Sequence, residues 1–148
     1  MVRTLLALLL FAPAAVAAPV PKDFKKSPKL DGKWKVVEYS SSGRDIQTTS
    51  ILNQTWEFDG ETLTITRNST VKVRPKPTEI KVKTDAKAKP MAFDYIFGTG
   101  TVRKGVCEVN GDTLIICLRL STVPGQERPT SLDGGTGLLR YVLKRVDK

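Results

Sequence analysis

The chain has 148 residues, of which 40% are hydrophobic and 26% charged, and its 24 Lys and Arg against 15 Asp and Glu give a formal charge of +9. This length and composition are typical of one globular domain and exclude a disordered or fibrous protein. Histidine is absent and there are only two cysteines, which excludes Ser-His-Asp and Cys-His nucleophile pairs, most catalytic zinc sites and any four-thiolate metal site within one chain.

The first 17 residues have the three parts of a secretory signal peptide. Arg3 supplies the positive charge, residues 5–11 form the apolar run, and 15–17 are the small residues that precede the cleavage site. The apolar run is shorter than the ~20 residues that a membrane-spanning helix needs, and no cysteine follows the site to carry a lipid. We therefore expect cleavage after Ala17, export as a secreted or periplasmic protein, and no membrane anchor.

The rest of the chain reads as a tail followed by short strands. Residues 18–29 are rich in Pro and Lys and predict a flexible tail, which leaves 30–148 for the folded domain. From there, short β-type runs alternate with turn signals such as Asp59-Gly60 and Asn110-Gly111, and only the connection 41–54 has room for a short helix. Eight or nine antiparallel strands with little helix predict an all-β barrel or sandwich. The predicted strands lie within 33–40, 55–67 (a hairpin), 69–75, 78–84, 91–98, 101–109, 112–121 and 136–146.

Both cysteines lie in the hairpin GVCEVNGDTLIICL, residues 105–118. A two-residue turn that includes Gly111 and either neighbour leaves Cys107 on the same face as Ile116 and puts Cys117 on the opposite face. Side chains on opposite faces point apart, which is incompatible with a disulfide. Export favours a disulfide, but strand geometry predicts two free thiols, and only a bulged three-residue loop would reverse this.

Four segments together resemble a known family. They are LDGKWKVVEY (30–39), KPMAFDY (89–95), VNGDTLIICL (109–118) and ERPTSLDGGTGLLRYVLKR (127–145). In this order they resemble an uncharacterised lipocalin-like domain of small exported proteins, found mainly in planctomycete bacteria. The resemblance covers about residues 30–146 and implies an antiparallel calycin-type barrel with no assigned activity. The segment 67–77 looks like an insertion, and Cys107 stands where the family commonly has an aromatic residue.

The resemblance also implies how the barrel is closed. Gly32 and Trp34 match the Gly-x-Trp that opens the first strand of lipocalin-like barrels. In such barrels the Trp packs at the closed end beneath a cation from the last strand, for which Arg140, Lys144 and Arg145 are the candidates. We expect Gly32, Trp34, Arg140 and Arg145 to be structural closure residues, in preference to a role for Trp34 as a ligand contact.

Residues 71–90 are strongly basic, with seven Lys and Arg against two Asp and Glu. Such a stretch could bind an anionic polymer, or it could be a solvated outer face whose lysines oppose edge-to-edge pairing. No aromatic residue interleaves with these charges, which disfavours nucleic-acid binding because bases stack on aromatic rings. We therefore predict a solvated face and no nucleic-acid partner.

An eight-stranded barrel either fills its interior with side chains or holds one small ligand. Alternation predicts that Leu114, Ile116 and Leu118 face inward and line a modest apolar cavity at the end away from Trp34, without fixed charges deep inside. The leading prediction is an exported, monomeric, non-catalytic binding module for a small apolar ligand, with no catalytic residues, metal or cofactor. The alternative is an interaction or inhibitor protein that uses its outer face or loops on a partner protein or an anionic surface.

Overall fold

The computed structural model describes residues 30–68 and 75–146. The predicted signal peptide, the tail at 18–29 and nearly all of the predicted strand 69–75 lie outside these ranges. Among the described residues there is no helix long and apolar enough to cross a membrane. The strands are β1 (Gly32–Ser41), β2 (Arg44–Asp45), β3 (Thr55–Asp59), β4 (Thr62–Thr66), β5 (Thr78–Asp85), β6 (Met91–Ile96), β7 (Val102–Asn110), β8 (Thr113–Arg119) and β9 (Leu138–Arg145).

The strands form one antiparallel sheet that closes on itself. Sequence neighbours pair from β3 through to β9, β1 pairs with both β3 and β9, and the two-residue β2 extends only the end of β1. The result is a closed eight-stranded barrel with one extra short strand, which confirms the prediction of an all-β antiparallel barrel. The short helix allowed for at 41–54 is a wrong expectation, because this connection forms turns and β2 instead.

Two tight turns fix the register of the hairpins. Gly60 and Gly111 have φ values of 57° and 58°, a left-handed conformation that glycine adopts without the steric penalty of a Cβ. In the β7–β8 hairpin, the pairing of Asn110 with Thr113 leaves a two-residue turn, and Cys107 then pairs with Ile116. The two cysteines are free thiols whose side chains point to opposite faces of the sheet.

The barrel is filled by the inward-facing side chains of its strands. Alternation along each strand sends every second residue into the interior, and burying each large apolar side chain contributes roughly 1.5–3 kcal/mol. These contacts hold the eight strands together around one core. The core consists of Trp34, Val36, Trp56, Phe58, Leu63, Ile65, Ile80, Val82, Phe93, Cys107, Leu114, Ile116, Leu118, Leu139 and Leu143.

The β8–β9 loop, residues 120–137, packs on the outside of the barrel. Arg128 in this loop donates a hydrogen bond of 2.6 Å to the carboxylate of Asp94 on β6. Cys117 points outward from β8 yet is fully buried, with Gly134 of the loop close to its thiol. The loop therefore gives the barrel a covered outer face along this side.

Candidate ligand-binding site

One end of the barrel is closed around Trp34. Its ring is fully buried, and its Nε1 donates a hydrogen bond of 2.8 Å to the carbonyl oxygen of Leu30. The Arg145 guanidinium carbon lies 4.0 Å from the Trp34 ring centroid, a cation–π distance. Gly32 has a φ of 118°, and a Cβ there would lie 3.1 Å from an Arg145 nitrogen. Trp34, Gly32 and Arg145 therefore form a structural plug at this end.

Arg140 does not share in that plug, which corrects the expectation for this residue. Its Nε donates to the carbonyl oxygen of Leu132 (2.9 Å), and its Nη1 lies 3.5 Å from the carboxylate of Glu38, both on the outer side. The reason is strand parity, because two residues five apart on one strand point to opposite faces. Lys144 is also directed elsewhere, with its Nζ donating to Thr113 Oγ1 at 2.6 Å.

The predicted lining of the cavity also needs correction. Leu114, Ile116 and Leu118 do face inward, but they are at most 1% exposed and belong to the packed core. Five inward-facing side chains toward the opposite end from Trp34 remain only half-buried. We call this group the mouth cluster, and it comprises Tyr39, Tyr95, Phe97, Arg103 and Tyr141.

The mouth cluster is assembled from four strands. Tyr39 on β1 pairs with Tyr141 on β9, and Tyr95 on β6 pairs with Arg103 on β7, so each pair shares the inner face. The ring centroids of Tyr39 and Tyr141 are 4.9 Å apart, as are those of Tyr95 and Phe97. Tyr39 lies five residues along β1 from Trp34, or about 16 Å. The mouth cluster is therefore well separated from the plug.

Arg103 places a fixed charge on the inner face of the barrel at the mouth, where the sequence predicted an apolar lining. It shares the inner face of β7 with Cys107, and its guanidinium carbon lies 5.2 Å from the centroid of the Phe97 ring. Its Nε is buried and is without a hydrogen-bond partner among the described residues. Arginine stays protonated in proteins, so the mouth holds a permanent positive charge with an unused donor.

Tyr95 and Tyr141 are neutral at physiological pH. Burial raises the pKa of Tyr141, and the neighbouring Tyr39 and Tyr95 act in the same direction. Burial also raises the pKa of Tyr95, although Arg103 and Arg67 oppose the shift. A neutral phenol both donates and accepts hydrogen bonds. The site thus combines the Arg103 cation, neutral hydroxyl groups and flat apolar rings.

The titration of buried groups predicts a loss of stability at high pH. Burial raises the pKa of the Cys107 thiol from 9.0 to about 12, so between these values the unfolded chain ionises while the folded one must stay neutral. The contribution of this thiol to the free energy of unfolding is fully present below pH 9 and is lost as the pH rises toward 12. Between pH 8 and 10.5 this loss amounts to about 2 kcal/mol. Urea denaturation at pH 8 and at pH 10.5 measures this loss of stability.

Cys107→Val is the control for that measurement, because valine fills a similar volume and does not titrate. The free energy of unfolding of this variant should fall less between pH 8 and 10.5 than that of the parent protein. Equal losses in the two proteins would contradict the assignment to Cys107.

A separate groove lies on the outside of the barrel. It has a volume of about 650 Å³ and lies between the β6–β7 turn, β7 and the β8–β9 loop, with Lys104 and Arg119 among its lining residues. Of the predicted basic stretch, Lys81 and Lys83 are exposed on the outer face of β5, whereas Lys72 and Arg74 lie outside the described ranges. The groove and the basic face are both outside the barrel, on the opposite side of the sheet from the mouth cluster.

Sequence reasoning missed the mouth cluster, although alternation could have found part of it. Counting back from Cys107 in steps of two leads through Gly105 to Arg103, which places this arginine on the inner face. The tyrosines lie in segments predicted as strands, but their clustering depends on how β1, β6, β7 and β9 meet around the barrel.

The fold defines the class of protein as a closed antiparallel barrel, consistent with a lipocalin-like barrel. Comparison with family models, with curated proteins and with solved structures gave no match. Within the part of the chain that the structure describes, no three Cys, Asp or Glu residues come together as metal ligands. The geometry of the barrel therefore carries the functional interpretation.

Proposed function

We propose that this protein is an exported, non-catalytic binding module that holds one small ligand with an apolar body at the mouth cluster. Export rests on the signal-peptide pattern of residues 1–17. The observation that carries the binding function is the group of half-buried aromatic side chains on the inner face of the barrel, in the half away from the Trp34 plug. Partly exposed aromatic rings inside a concave surface are typical of small-molecule sites.

The contacts between rings support this placement. Tyr141 lies 5.0 Å from Trp56 and 4.9 Å from Tyr39 between ring centroids, and its plane is tilted against each of theirs. Rings held in this way by mutual contact are already positioned, so a ligand that packs against them does not have to order them first. Tyr95 and Phe97 provide a second pair beside Arg103.

The alternative function, recognition of a partner by the outer face, is supported by the outer groove. Val123 in the β8–β9 loop is 63% exposed and lines this groove beside Lys104. A large exposed apolar side chain next to cations is compatible with a protein or acidic partner. The two functions make different residues responsible for binding and can be separated by mutation.

Titration with the neutral fluorescent probe N-phenyl-1-naphthylamine tests the proposal. We expect the folded protein to bind the probe near one-to-one, and Tyr95→Ala to weaken this binding by roughly tenfold because one aromatic contact is lost. Val123→Ala, which removes an apolar side chain from the outer groove, is the matched control and should leave binding unchanged. Absence of binding, or loss of binding in Val123→Ala alone, would contradict a site at the mouth.

A further inference from the structure

We propose that the ligand of the mouth cluster is an organic acid, whose anionic group binds Arg103 while its apolar body packs on the surrounding rings. This inference rests on the proposed function and adds the chemical class of the ligand. It starts from an arginine that faces the interior of a barrel and has a buried Nε without a partner in the described ranges.

No carboxylate of the described strands faces Arg103. The nearest acid on β6 is Asp94, which points outward because it alternates with Phe93 and Tyr95, and it is paired with Arg128. The ion pairs that the structure describes are Lys33–Glu57, Arg128–Asp94, Arg140–Glu38 and Arg145–Asp112. The charge of Arg103 is thus balanced by none of these acids.

Withdrawing part of a cation from water without a counterion is unfavourable, so a ligand that supplies the opposite charge would be stabilised at Arg103. The planar guanidinium presents donors in a fork that matches the two oxygens of a carboxylate. Tyr95, which pairs with Arg103 across β6 and β7, adds a neutral hydroxyl beside the fork.

The body of the ligand is defined by what surrounds the guanidinium. Phe97 lies under Arg103 at 5.2 Å, and Tyr95 lies 4.9 Å from Phe97. An acid whose charged group reached Arg103 would place its remaining atoms against these rings and against Tyr141. A purely polar acid would leave the rings in contact with water and gain nothing from them.

Two probes with the same anilinonaphthalene body separate charge from shape. The anionic probe is 8-anilinonaphthalene-1-sulfonate, and the neutral one is N-phenyl-1-naphthylamine. We expect the full-length mature protein to bind the anionic probe more tightly than the neutral one. Arg103→Gln should lower the affinity for the anionic probe at least about tenfold, as expected for loss of a charge-assisted hydrogen bond. The affinity for the neutral probe should change little.

Lys104→Gln is the matched control, because it removes the same charge from the adjacent residue of β7, whose side chain is exposed on the outer face. It should leave the affinity of both probes unchanged, and circular dichroism should show that both variants are folded. Equal affinity for the two probes, or an equal loss of affinity for the anionic probe in Arg103→Gln and Lys104→Gln, would contradict the proposal that the ligand is an acid. The proposal of a binding module for a neutral ligand would then still stand. Binding of neither probe would overturn both proposals.

Discussion

Replacing Trp34 with alanine is expected to lower the free energy of unfolding by about 3–5 kcal/mol, the range found when a fully buried large aromatic side chain is removed. Trp34 is completely buried, donates a hydrogen bond to Leu30 and lies beneath Arg145. Its loss would open a cavity at the plug and leave the Arg145 guanidinium without its aromatic partner. Urea denaturation followed by far-ultraviolet circular dichroism measures the change.

Two milder variants separate the contributions to the plug. Trp34→Phe keeps an aromatic face under the cation and should lose less than Trp34→Ala, whereas Arg145→Met keeps the packing of the arginine stem and removes the charge. We expect Arg145→Met to lose about 0.5–2 kcal/mol, the range of a cation–π contact. A loss of less than about 1 kcal/mol for Trp34→Ala would show that the barrel does not depend on this plug.

Replacing Gly105 with alanine is expected to destabilise the protein by about 1–3 kcal/mol, as overpacking of a core does. A Cβ at Gly105 would lie 2.5 Å from the backbone oxygen of Cys117 and 2.5 Å from Leu118 Cδ2. Because one of these atoms is backbone, the β7–β8 pairing itself would have to shift. The conformational preference of the backbone alone would make Gly105→Ala stabilising, since alanine is favoured over glycine inside a strand by roughly 0.5–1 kcal/mol.

Gly98→Ala is the matched control, because it makes the same substitution at a position where the added Cβ meets no steric clash. Gly98 follows β6, and a Cβ there would meet no atom within 4 Å, so this variant should be neutral or slightly more stable. Urea denaturation of both variants provides the comparison. A Gly105→Ala variant as stable as the parent protein would contradict the claim that β7 and β8 pack too closely at this point to admit a Cβ.

Much of the fold could be predicted because it depends on local signals. The Asp-Gly and Asn-Gly-Asp turns set two hairpins, and period-two alternation then assigned the faces of Cys107, Cys117 and Ile116 without further information. The close spacing of the strands predicted an antiparallel barrel or sandwich, and the family resemblance favoured the barrel. The closing pair of β1 and β9 joins the two ends of the folded domain, and no local pattern identifies it.

The candidate site was predicted less well, for two physical reasons. Apolar content was taken as the criterion for the inner face, so an inward-pointing charge such as Arg103 was not considered. Arg140 and Arg145 were both expected at the plug although their odd spacing puts them on opposite faces, and the one that lies against Trp34 is decided by the register of β1 with β9. The mouth cluster also needs tyrosines from β1, β6 and β9 to meet around a closed barrel.

The side chains at the two ends of the barrel have different roles. At the plug, Trp34 and Arg145 donate hydrogen bonds to the carbonyl oxygens of Leu30 and Asp31. At the mouth, Arg103 has a buried donor without a partner among the described residues and lies among half-buried rings. Variants of the plug should therefore change stability first, and variants of the mouth should change binding first.

The crystal structure of the protein with 8-anilinonaphthalene-1-sulfonate tests the central claim most directly, because it shows where an acidic apolar molecule lies. The predicted result is one probe inside the barrel, with its sulfonate within hydrogen-bonding distance of Arg103 and its rings against Tyr95, Phe97 or Tyr141. A probe in the outer groove beside Lys104, with the mouth filled only by the protein's own side chains, would contradict the account and favour recognition by the outer face.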